Sequence, residues 1–191
     1  VVHRYFAAAL GFFAILLVYL SFKQKENKKI RLWAIGLLIF ICCQGLFGYL
    51  TVSLKLLPII VTGHLFGGFT TLTLFFYIYL MSGNFQILDK MKIPNLKFIA
   101  GLAFFILIIQ IFLGVWTSTN YASLACADFP TCQGTYLPEM DFKNGFNLNQ
   151  EVGPNYLYGL LDNPSRVAVH YSHRVSALLL TFIFLILMSK L

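Results

Sequence analysis

Six side chains carry most of the chemistry this sequence can offer: His3, His64, His170 and His173, with Arg4 and Arg174 each directly following a His. Neutral imidazole is a good ligand for iron, zinc and copper. A guanidinium forks onto a carboxylate or phosphate, or keeps its charge at an interface while its stem lies in apolar surroundings. A His inside an apolar helix also serves as a simple helix–helix hydrogen-bonding group. Which of these applies depends on the elements that bring the six together.

Those elements are membrane helices. Of 191 residues, 59% are apolar or aromatic and only 11% are charged, against a soluble norm of about 25% charged. So few charges cannot cover that much apolar surface in water. The net charge of +7 comes without a basic stripe or a nucleic-acid motif, so no nucleic-acid partner is expected. Spanning the hydrocarbon takes about 20 apolar residues, and five stretches qualify: residues 1–22, 32–54, 56–81, 98–117 and 167–189. Pro58 suits the start of the third. Asn163 followed by Pro164 reads as the cap and first position of the fifth. The connection after the first stretch sums to +4 and that after the third to +2, whereas the connection after the fourth, up to the Asn163 cap, sums to −4. Lys55 is the one charge between the second and third, and Lys190 follows the fifth. By the positive-inside rule the +4 and +2 connections are cytoplasmic, and the Lys55 turn and the −4 loop lie outside.

With that orientation all four His residues fall in the outer half of the membrane. Four at one depth favour a cofactor over separate packing roles, because imidazoles from facing helices are how bundles hold haem iron. Zinc is the rival, but asks for three or four tightly grouped ligands. Arg4 and Arg174 then either snorkel to the interface or clamp a haem propionate.

A shift of 170 residues lays the fifth stretch on the first and aligns His3-Arg4 with His173-Arg174. Two tandem halves of four helices follow from that repeat, with one His pair in each. Val1 is no initiator Met and Leu191 ends within an apolar run, so the chain is expected to be an excerpt. The repeat divides it into residues 1–82, three helices of an N-terminal bundle; 83–97, a cytoplasmic linker; and 98–191, two helices and the long outer loop of a C-terminal bundle. His170 lies one turn before His173 and is expected to face the same cavity. The second and fourth stretches also share a signature, Gln44, Gly48 and Thr51 matching Gln110, Gly114 and Thr117, which reads as ordinary helix–helix packing.

The outer loop holds Cys126 and Cys132 around a Pro turn. Outside the cytoplasm a disulfide is chemically expected, either as a structural staple or as a thiol pair relaying electrons. Cys42 and Cys43, adjacent in the second stretch, read as packing residues.

Taken together these residues resemble the haem A synthase family, membrane enzymes that oxidise haem O to haem A for terminal oxidases. The resemblance rests on Val2-His3-Arg4, on Pro58 with His64-Leu65, and on the runs Leu113–Thr119 (LGVWTST), Leu124–Gly134 (LACADFPTCQG) and His170–Arg174 (HYSHR). It implies an all-α polytopic membrane bundle, five helices of an eight-helix pair of four-helix bundles. It implies that His3 and His64 flank the iron of substrate haem O, that His173 is an axial ligand of a resident haem b, and that Arg4 and Arg174 hold propionates, with His170 in support. The family's catalytic acidic residue would lie upstream of Val1 and the second haem b ligand beyond Leu191, so no catalytic residue is assigned within the chain. The implied reaction turns a ring methyl into a formyl group through two successive hydroxylations and loss of water. Haem O delivered by haem O synthase, membrane lipid and a bacterial inner membrane with the Cys126–Cys132 loop on the periplasmic side complete the expectation; homo-oligomerisation is left open. Two rivals use the same residues: a di-haem b-type electron-transfer cytochrome, and a haem-handling protein without a redox role.

Overall fold

A computed structural model describes residues 2–23, 28–83 and 95–190. The elements are α1 (Val2–Lys23), α2 (Lys28–Ser53), α3 (Pro58–Ser82), α4 (Leu96–Thr119), α5 (Phe142–Gly145) and α6 (Asn163–Met188). All but α5 are long and apolar enough to cross a membrane, as a rise of about 1.5 Å per residue across about 30 Å of hydrocarbon requires. The protein is an all-helical integral membrane protein. Among the described residues the only β-type pairing is an isolated bridge between Cys132 and Thr135.

The five expected spans are present with shifted ends. Helix α2 starts at Lys28 rather than residue 32, because lysines and arginines continue a helix readily while their charges stay in the headgroup layer. The α6 cap is Asp162 and not Asn163: its carboxylate accepts from the Ser165 N–H at 3.1 Å. Asparagine is an equally good cap, but the helix begins one residue earlier than the Asn-Pro pair suggests. The expected linker 83–97 lies largely outside the described residues, as do Lys25 and Glu26 of the +4 connection and Asp89, Lys90 and Lys92 of the +2 connection.

The chain divides into two compact units. The first is Val1–Ser53 with Gly63–Asp89. In it α1 packs on α2, and Ala14 and Ala34 are fully buried, small residues that let helix backbones approach closely. Ile30, Leu37 and Ile78 form its apolar centre, with Leu17, Ile41, Leu74 and Phe75 against them. Cys42 and Cys43, expected to pack, are exposed instead, so they contribute nothing to that centre.

The second unit is Leu54–Thr62 with Lys90–Leu191. Its frame is α4 against α6, with short α5 lying on α6. Trp116 is fully buried, stacks on Phe112, and donates from Nε1 to the Gly145 carbonyl at 2.8 Å. A Cβ at Gly145 would stand 2.8 Å from the Ser165 carbonyl oxygen, so only glycine allows this approach. Buried Asn120 ends α4 by donating to the Trp116 carbonyl and accepting from Gln150. The loop is therefore folded onto the helix ends. It also joins the turn before α3: Tyr156 N–H donates to the Lys55 carbonyl at 3.1 Å, and Lys55 Nζ to the Gly153 carbonyl at 2.8 Å. Turn and loop are thus hydrogen-bonded neighbours.

Candidate functional site

In the first unit, α1 and α3 bring His3 and His64 together. Their ring centroids are 6.2 Å apart and the planes are nearly perpendicular, at 86°. Metal–imidazole bonds run about 2.0 Å, so two rings on opposite sides of one ion have centroids about 6 Å apart. The observed pair matches that spacing. Nδ1 of His64 is buried and has no hydrogen-bond partner among the described residues. Among the described residues no group of three His, Cys, Asp or Glu could hold a metal ion, and a pair alone is less than a zinc site needs. Arg4, one residue from His3, is exposed.

Helix α2 supplies the seat for His64. A Cβ at Gly48 would approach within 3.1 Å of the His64 Cε1, so the imidazole lies directly on the bare backbone there. Gln44 donates from Nε2 to the His64 carbonyl oxygen.

The second unit repeats the arrangement with one change. A Cβ at Gly114 of α4 would stand 3.2 Å from His173 Cε1, and Gln110 meets the His173 ring itself, Nε2 to Nδ1 at 3.0 Å. The Gln-Gly-Thr signature shared by α2 and α4 is therefore more than packing. Its glutamines and glycines form a seat for the imidazole of a neighbouring helix. Its threonines do not cross between helices: Thr51 donates to the Gly48 carbonyl and Thr117 to that of Leu113, each within its own helix. The clue in the sequence was that both helices bearing the signature precede one bearing a His.

His170 and Arg174 belong to a different construction. His170 is buried, with the Cys126 N–H 3.3 Å from its Nδ1 and the Arg174 Nε 3.2 Å from its Nε2. A neutral imidazole accepts at one ring nitrogen only, so the two contacts are alternatives. Arg174 also donates from Nη1 to the carbonyls of Asp128 and Thr131 and from Nη2 to that of Cys126. The carbonyls engage three of its five N–H groups, and Nε–H makes a fourth when His170 accepts at Nε2. The expected propionate clamp is thus a guanidinium already occupied, held by backbone carbonyls of the Cys126–Cys132 loop. Likewise His170 addresses that loop, where a shared cavity with His173 was expected.

The loop is closed by a Cys126–Cys132 disulfide packed against Val167 of α6. Asp128 braces its interior, accepting from the Thr131 hydroxyl and from the N–H groups of Gln133 and Gly134. These donors, the Thr131 hydroxyl foremost, pull the Asp128 carboxyl down to about 2. Tyr171 of α6 adds a further tie, its hydroxyl donating to the Tyr136 carbonyl at 2.8 Å.

Residues 1–191 match the family described as COX15-CtaA, cytochrome oxidase assembly protein. The chain is 35% identical over 192 residues to a protein of Shewanella oneidensis named heme A synthase, an alignment covering 100% of this chain and 57% of that protein. It thus spans little more than half the length of the curated relative it matches. No solved structure matches it.

Proposed function

The chain belongs to the COX15-CtaA family of cytochrome oxidase assembly proteins, and on that premise we propose that it forms part of a haem A synthase, oxidising a methyl group of haem O to the formyl group of haem A. The observation that carries this reading is the His3–His64 pair, at the separation two axial imidazoles of one iron require.

In this reading His3 of α1 and His64 of α3 flank the iron of the substrate from its two faces. Arg4, exposed near the start of α1, takes a propionate. His173 holds a resident haem b. The fit is supported by the imidazole lying on Gly114 with Gln110 at its inner nitrogen. When bound, haem b supplies electron-transfer chemistry that no side chain provides. Arg174 and His170 fix the loop over the outer end of α6 and so fix the orientation in which His173 is presented. The remaining helices complete two four-helix bundles related by the His-Arg repeat. Haem O is too apolar to cross water unaided, so delivery by haem O synthase within the bilayer suits it. The bilayer is a bacterial inner membrane with the disulfide loop facing the periplasm, where that bond is stable.

The test uses full-length protein supplied with haem O. His3→Ala and His64→Ala abolish haem A formation, while resident haem absorbance persists; His173→Ala removes that absorbance. Haem A formed at the normal rate by both substrate-side variants would falsify the assignment. A di-haem cytochrome without porphyrin chemistry is separated by the same extraction, since it yields no formyl-bearing haem.

A further inference from the structure

We infer that Gln110 is a positioning residue that selects which ring nitrogen of His173 faces the iron and sets the electron density that imidazole supplies. This rests on the reading of His173 as an axial ligand of a resident haem.

The argument begins with a buried atom left over. The Gln110 carboxamide nitrogen lies 3.0 Å from His173 Nδ1, while its Oε1 is buried with no donor. In that orientation the amide donates to a lone pair on Nδ1, and the ring proton must sit on Nε2. An imidazole so protonated cannot offer Nε2 to a metal. Nitrogen and oxygen of a carboxamide exchange places by a half turn and are assigned only from their neighbours. Turned over, Oε1 accepts from Nδ1–H and Nε2 carries the lone pair. Metal-binding histidines show this arrangement as a rule: the remote N–H goes to an oxygen, which fixes the tautomer and raises ligand basicity. One half turn thus joins the unsatisfied oxygen to the tautomer that ligation needs.

The other unit supplies a contrast. Gln44 occupies the same place in the shared signature but donates to the His64 backbone carbonyl, and His64 Nδ1 has no partner. The His64 ring is seated on glycine yet not held at its nitrogen. A ligand with a fixed tautomer and enhanced basicity suits a haem that stays. One without that hold suits a haem that must enter, react and leave. The two glutamines therefore separate a resident site from an exchange site, although both units use the same seat.

The experiment compares Gln110→Glu, Gln110→Leu and Gln110→Met with wild type in full-length protein purified with its haem. The readouts are the midpoint potential and the low-spin ferric EPR spectrum of the resident haem. A carboxylate at the remote N–H makes the imidazole a stronger donor and favours ferric iron, so the Glu variant has the lowest potential. Leu and Met remove the acceptor and have the highest, and the EPR g-values shift in parallel. The order holds between wild type and any variant that accumulates, so loss of one leaves the test intact. Identical potentials and spectra, or the reverse order, overturn the proposal. Failure of the underlying reading looks different: His173→Ala then retains the same haem content and spectrum as wild type.

Discussion

Arg174 Nε lies 3.2 Å from His170 Nε2, one turn back along α6, while the rest of the same guanidinium reaches three carbonyls of the disulfide loop. One side chain thereby ties the helix to the loop above it. Arg174→Ala leaves those carbonyls without their charged donor, which costs about 3 kcal/mol. Arg174→Lys recovers little, because an ammonium cannot fork towards several acceptors in one plane. Thermal unfolding in detergent, together with protease cleavage between residues 120 and 162, measures both. Wild-type behaviour of the Lys variant would show that charge alone matters.

Glycine at 48 and 114 leaves room for an imidazole that a Cβ would crowd. Gly114→Ala places a methyl group 3.2 Å from His173 Cε1 and displaces the ring, so the resident haem per protein falls several-fold. Gly48→Ala crowds His64 at 3.1 Å and slows haem A formation while resident haem is retained. Gly101 of α4 has nothing within 4 Å of a Cβ; Gly101→Ala is neutral or stabilising by up to about 1 kcal/mol. Haem absorbance per protein distinguishes the three, and equal loss in all would remove the ring contact as the cause.

The Asp128 carboxyl is depressed from 3.8 to about 2, chiefly by the Thr131 hydroxyl and the Gly134 N–H. A depressed carboxylate stabilises the folded loop fully above its unfolded value and loses that contribution as pH falls through the folded value. The loop therefore holds at neutral and mildly acidic pH and loosens between about 4 and 2. Asp128→Asn flattens this dependence. Cleavage by an acid-active protease across that interval reads it out, and an unchanged slope in the Asn variant would locate the titration elsewhere.

Removing the Cys126–Cys132 bond as a double Ser variant costs about 2 kcal/mol, from the loop-closure entropy of a seven-residue ring. Both cysteines are buried, Cys132 completely, so reductant acts on the native protein slowly, at the rate at which the loop opens. The double variant is expected to keep resident haem, with faster loop cleavage as its main defect. Loss of haem A formation with an undisturbed loop would instead favour the thiol-relay role.

The five spans were legible because a run of about 20 apolar residues has few other uses, and the meeting of His3 with His64 followed from the repeat that puts one His pair in each half. What escaped the sequence was direction. Gly48 and Gly114 read alike whether a helix backbone or an imidazole rests on them. The engagement of Arg174 was hidden because its partners are main-chain carbonyls, which every residue carries. Cys42 and Cys43 read as packing residues on residue type alone, and both are exposed. Helix α5 is four residues long, too short for any periodicity; only Asp141, accepting from the Asn144 N–H at 3.0 Å, marks its start.

The seat on α2 and the one on α4 serve the next long helix in each case, yet the chain between differs greatly: residues 54–57 join α2 to α3, and residues 120–162 separate α4 from α6. The same glycine–imidazole seat is thus built by two helix pairs whose connectors differ greatly in length. A short turn grafted in place of the long loop would test how much of that loop the helix pair needs to seat its imidazole.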